Sequence, residues 1–117
     1  MENGYVPVEI HTCVDPDNRG ALIRVGGEID VFTAPLLQEA ILAQIQCRTS
    51  TIADLADVTF MDASGVGMLI RADQLARRRG VRLTITHPTG PVARVLRLTR
   101  ADRILDIDDR QSGRPEN

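Results

Sequence analysis

A chain of 117 residues, 43% hydrophobic and 26% charged, has apolar content for one buried core and is the length of one domain. A formal net charge of −2 provides no global field to draw in nucleic acid, and 3% aromatic content without Trp removes the ring faces that sugar or base-stacking sites use. Cys13 and Cys47 follow neither C-x-x-C nor Cys/His ligand spacing, so no disulfide framework or zinc site is expected, only two buried thiols in a reducing compartment.

The Met-Glu-Asn-Gly start has no basic segment followed by an apolar one, and no apolar run approaches ~18 residues. A cytoplasmic protein with no membrane contact is expected. All 14 cationic residues are arginine, a habit of composition that carries no mechanism alone.

In chain order, Val8 to Val14 alternates Val8, Ile10 and Thr12 against Glu9, His11 and Cys13, the period of a half-buried strand. The turn formers Asp15 to Gly20 connect it to a second strand over Ala21 to Val25, giving a hairpin with a longer loop. Thr33 is placed to cap a helix over Ala34 to Gln46, with Pro35 in its first turn and Leu37, Ala40, Ile41 and Ile45 on its inner face. A third strand is expected over Thr51 to Ala56, where Asp54 fits poorly.

A second helix should span Ser64 to Arg79, with Met68, Leu69, Ala72, Leu75 and Ala76 inward and Gly80 ending it. Arg71, Arg77, Arg78 and Arg79 read as its solvated face, with a surface for an acidic partner as the alternative. Val81 to Thr86 alternates as a fourth strand, and His87 to Pro91 is a loop. A third helix follows, with Val92, Val95, Leu96 and Thr99 inward. Ile104 to Asp108 suits an edge strand. The domain is expected to end at residue 108, with 109–117 a disordered tail. The order β-β-α-β-α-β-α-β implies an α/β fold, amphipathic helices packed on a mixed sheet, while the strand order stays open.

Between the third strand and the second helix, Phe60 to Ile70 reads Phe-Met-Asp-Ala-Ser-Gly-Val-Gly-Met-Leu-Ile. Its polar centre, Asp62 to Gly67, is where function is expected. A nucleophilic Ser64 would need the G-x-S-x-G elbow, but those glycine positions hold Asp62 and Val66. His11 and His87 bear no recognisable relation to it as a base. A nucleotide cradle would need a glycine at Ile70 or a lysine, and the chain has neither. Ser64 as a phosphate acceptor fits better, because a helix N-terminus tolerates added negative charge. Ser64 as a simple helix cap, with the glycines making a turn, fits the same spacing and remains open.

Three motifs in order carry a resemblance. Gly27-Glu28-Ile29-Asp30 with Thr33-Ala34-Pro35 comes first, then Val58 to Gly67, then Leu98-Thr99 with Asp102-Arg103. Over Val6 to Ile107 the chain resembles the anti-sigma factor antagonist family, the bacterial branch of the STAS domain. The resemblance implies a STAS-like single domain and a partner-switching regulator without cofactor, metal or enzymatic activity of its own. It implies that the dephosphorylated form binds an anti-sigma factor that is a serine kinase and so frees a sigma factor. It implies phosphorylation on Ser64, which ends that binding, and a metal-dependent serine phosphatase that restores it.

Asp62 matches the family carboxylate two positions before the serine, and Gly65 and Gly67 match the turn that lets it be reached. Asp30 to Thr33 match the neighbouring loop. Val66 and Ile70, off the expected core face, are read as apolar partner contacts. The expected partner-binding set is therefore Asp30, Thr33, Asp62, Gly65, Val66, Gly67 and Ile70. Ala63 stands where the family often has a second serine, leaving Ser64 the only acceptor in the motif. No sign of the family's final helix appears over 109–117, so the oligomeric state stays open between monomer and weak dimer. A STAS scaffold or transporter-associated subunit without a phosphorylation switch is the competing expectation.

Overall fold

The computed structural model describes residues 8–108. In chain order these form β1 (Val8–Val14), β2 (Ala21–Ile29), α1 (Ala34–Gln46), β3 (Thr51–Met61), α2 (Ala63–Arg78), β4 (Leu83–Thr86), α3 (Gly90–Leu98), a 3-10 turn (Ala101–Arg103) and β5 (Asp106–Asp108). The tail expected over 109–117 lies outside the described residues.

The strands form one sheet in sequence order, β1-β2-β3-β4-β5, with β1 antiparallel to β2 and each later pair parallel. A tight connection suffices for the first pair, whereas the β2–β3 and β3–β4 pairs each need a helical crossover, which α1 and α2 supply. One register row runs Thr12, Ile23, Ala53, Ile85, Ile107. Its Ile23, Ala53 and Ile85 belong to the core, together with Leu37, Ile41 and Ile45 of α1, Met68, Leu69 and Ala72 of α2, and Val92 and Leu96 of α3. The adjacent row, Cys13, Leu22, Ile52, Thr84, Asp106, lies outside that cluster and turns polar toward β5.

Several sequence expectations are corrected. β2 does not stop at Val25 but runs through Gly26 and Gly27 to Ile29, absorbing them in register shifts against β3 between Arg24 and Gly26 and between Gly27 and Glu28. β3 continues past Ala56 to Met61. Asp54 fits within it because its Oδ1 accepts from the Ala56 amide (3.1 Å) and lies 3.1 Å from His87 Nδ1.

β4 begins at Leu83, since the Val81 amide is used to close α2. It donates to the Ala76 carbonyl (3.0 Å) while Gly80, at φ +74°, donates to that of Arg77 (3.2 Å), a left-handed glycine termination. Thr99 is exposed rather than inward. The last strand is only Asp106–Asp108, because a 3-10 turn takes up 101–103 first. Both cysteines are free and exposed, not buried: Cys13 stands on the edge strand in the row outside the core cluster, and Cys47 caps the end of α1.

Candidate functional site

The site forms where two parallel strands end together. Ile29 and Met61 are register partners at the carboxyl ends of β2 and β3, and the Asp62 amide donates to the Ile29 carbonyl (3.1 Å). The β2–α1 loop and the start of α2 are thereby tied side by side, at the end of an α/β sheet where ligands and partners commonly bind.

The loop holds itself rigid. Asp30 Oδ1 accepts from the amides of Phe32 (2.9 Å) and Thr33 (3.1 Å). Thr33 occupies the α1 cap position, but its hydroxyl donates to the Glu28 carbonyl (2.8 Å) and accepts from the Asp30 amide (2.9 Å) instead of capping the helix. Thr33 is buried, so the expectation that it meets a partner is corrected: it is a brace inside the loop. Asp30 is half-buried, and its carboxylate serves the same brace. With the polar atoms so used, the apolar side chains point outward. Phe32 is 83% exposed and Val31 60%.

On the α2 side, Asp62 and not Ser64 is the N-cap, its Oδ1 accepting from the Ser64 amide at 2.8 Å. Ser64 is therefore the second helical residue. It is half-buried, and its Oγ forms no hydrogen bond with another described residue. The glycines lie within the helix rather than in a turn. A Cβ on Gly65 would come within 2.7 Å of Met61 Cγ and 2.9 Å of Ile29 Cγ2, so this glycine lets α2 settle onto the strand ends. It is buried and offers a partner no side chain.

Val66 is likewise corrected: at 5% exposure it is core, not an outward contact. α2 packs against α1, α3, β3 and β4, so its buried arc is wider than one stripe and takes in Val66 and Asp73. Ile70 is half-buried and leans on that core.

Ser64 and Gly67 line a shallow cleft of about 210 Å3 between α1 and α2, with Val31, Ala34, Gln38 and Arg71 among its other walls. Of the large hydrophobic side chains exposed among the described residues, Val31, Phe32 and Leu36 belong to the loop and helix that wall this cleft, and Phe60 lies on β3 just before α2. None of these four was singled out from sequence, although two large apolar residues in succession inside a loop, Val31-Phe32, were a readable signal. From sequence, Arg71 belongs with Arg77, Arg78 and Arg79 on one arginine face. The structure separates that group: Arg77 pairs with Asp73 (2.8 Å), which keeps its guanidinium above its ordinary pKa, and reaches the Ile104 carbonyl (3.3 Å).

A larger hollow of about 500 Å3 lies elsewhere, lined by Arg19, Ser50, Ile52, Arg82 and Asp106 among others. Its arginines are already paired, Arg82 with Asp106 (2.8 Å) and Arg19 with Asp15 (2.9 Å). The Arg19 guanidinium holds the Asp15 carboxyl below the usual carboxylate range. Neither histidine lines the Ser64 cleft. Among the described residues, no group of three or more His, Cys, Asp and Glu side chains is arranged to hold a metal ion, and no helix is long and apolar enough to cross a membrane.

Comparison with known proteins agrees with this geometry. The STAS domain model matches residues 9–112. The anti-sigma-B factor antagonist of Bacillus subtilis is 24% identical over 106 residues, 91% of this chain and 97% of that protein. The one from Listeria monocytogenes is 31% identical over 86 residues, 73% of this chain and 75% of that protein. The crystal structure of an anti-sigma factor antagonist from Mycobacterium paratuberculosis superposes with a TM-score of 0.72 at 25% identity, covering 85% of each chain. The chain belongs to the STAS domain family, the family that includes these anti-sigma factor antagonists.

Proposed function

We propose that this protein is a cytoplasmic anti-sigma factor antagonist that works by partner switching. Dephosphorylated, it docks on an anti-sigma factor that is also a serine kinase, through Val31, Phe32 and the Ser64 cleft, and the bound sigma factor is released. The kinase moves the γ-phosphoryl group of its nucleoside triphosphate onto Ser64 Oγ, leaving the diphosphate and a proton, and docking ends. A serine phosphatase hydrolyses the phosphoserine and restores the first state. The chain itself is substrate and ligand and performs no step of this chemistry.

The observation that carries this reading is the juxtaposition of an unbonded Ser64 hydroxyl with exposed apolar side chains on a braced loop. An aromatic side chain 83% exposed beside a cleft is the kind of anchor that dominates protein interfaces. A phosphate placed there adds about −1.5 to −2 charges. Facing a partner carboxylate about 4 Å away at an effective dielectric near 20, one added charge costs about 4 kcal/mol. That is about a thousandfold in affinity, enough to decide between bound and free.

The test is intact mass after incubation with candidate anti-sigma factor kinases and ATP. The expected result is a gain of one phosphate mapping to Ser64 and absent from Ser64→Ala. A chain that binds such partners yet never gains phosphate would overturn the switch and favour a STAS scaffold without phosphorylation.

A further inference from the structure

We infer that Arg71, together with the cleft between α1 and α2, is a receptor for the phosphate carried by Ser64, so that the modified side chain is bound by its own protein. The inference rests on the reading that Ser64 is phosphorylated, and it assigns where the phosphate goes.

Ser64 and Arg71 lie seven residues apart on α2, two turns and about 10.5 Å of rise, on the same side of the helix. A long helical side chain leans toward the N-terminus, so Arg71 extends toward Ser64 rather than away from it. The structure shows that lean: a Cβ placed on Gly67 would stand 3.3 Å from Arg71 Nη1. Gly67 is thus the missing side chain that lets the guanidinium lie along the helix, one turn from the serine. Arg71 and Ser64 line the same cleft.

Charge selects the same residue. Arg71 makes no ion pair or hydrogen bond with another described residue, whereas Arg19, Arg77 and Arg82 are each held by a carboxylate. A phosphate on Ser64 faces the Asp62 carboxylate, which is bonded to the Ser64 amide, and is repelled from that side. On the α1 side the walls are Val31, Ala34, Pro35 and Gln38, none of them charged, and among the described lining residues Arg71 is the one cation. A guanidinium matches phosphate oxygens with a planar pair of donors. A phosphate so held also fills the cleft beside Val31, so phosphorylation alters the shape of the docking face as well as its charge.

The experiment uses the full chain with phosphoserine installed at position 64 by semisynthesis and titrates it by phosphorus NMR. The second pKa of phosphoserine is about 6 when unperturbed. In the wild-type chain it is expected to lie about one unit lower than in Arg71→Gln, the lower end of the effect of an adjacent guanidinium. Arg71→Lys should recover part of the shift, and Arg78→Gln, on an exposed arginine of the same helix, should leave it at the wild-type value. Arg71 is exposed and has no partner among the described residues, so its variants keep the fold, which circular dichroism checks. Equal pKa values in wild type and Arg71→Gln would overturn the inference while leaving the switch standing. Because the phosphate is installed without a kinase, failure of every kinase to label Ser64 would overturn the switch and leave the Arg71 result readable.

Discussion

Two turns, one before β2 and one after β3, use the same device to different ends. In the β1–β2 turn, Asp15 Oδ2 accepts from the amides of Asp17 and Arg19 (3.1 Å each) and from Arg19 Nε (2.9 Å), and the residue is buried. At the start of α2, Asp62 Oδ1 accepts the Ser64 amide (2.8 Å), but among the described residues no arginine closes over it, and the residue is half-buried. The first turn is a finished structure, carboxylate and guanidinium satisfied within it. The second holds its backbone in place and leaves a hydroxyl, a guanidinium and an apolar rim without a partner among the described residues. A region whose backbone is fixed while its side chains are incomplete is what a docking face requires, since little ordering remains to be done on binding.

The comparison is broken most severely at Gly65. Gly65→Ala forces a methyl against Met61 and Ile29 and should cost about 1–3 kcal/mol despite the better helix propensity of alanine, measured by urea unfolding. Asp62→Ala removes the cap and should cost about 1 kcal/mol in the same assay. Gly67→Ala meets only the flexible end of Arg71 and should stabilise the chain by about 0.5–1 kcal/mol through helix propensity. Opposite signs at two glycines two residues apart would separate packing from propensity.

The smallest effect is one of slope. The Asp15 carboxyl has a folded pKa below its unfolded value of about 3.9. Its contribution is therefore complete above pH 4 and is lost as pH falls through the folded value. Asp15→Asn should flatten the stability profile in that acid range and leave the Ser64 end of the molecule unchanged.

Much of this was legible in advance, and the misses have physical causes. The Leu37, Ile41 and Ile45 stripe of α1 followed from helical periodicity and the termination at Gly80 from glycine's freedom to turn left-handed, and both are observed. The extent of β2 was missed because Gly26 and Gly27 read as a break, whereas the sheet takes them in as register shifts. Val66 was misplaced because a single-stripe rule assumes one neighbour, while α2 has neighbours on several sides. Thr33 was expected to cap α1 and to belong to the partner-binding set, yet its hydroxyl is spent within the loop. Arg71 is distinguished from other surface arginines only by what lies beside it, which no local pattern records.

The most direct measurement is calorimetric affinity of a cognate anti-sigma factor kinase for wild type, Ser64→Ala and Ser64→Asp. Because the helix is capped by Asp62, both substitutions should leave stability within about 0.5 kcal/mol of wild type. Ser64→Ala is predicted to bind like the dephosphorylated wild type, and Ser64→Asp to bind far more weakly. Equal affinity of all three would contradict the account.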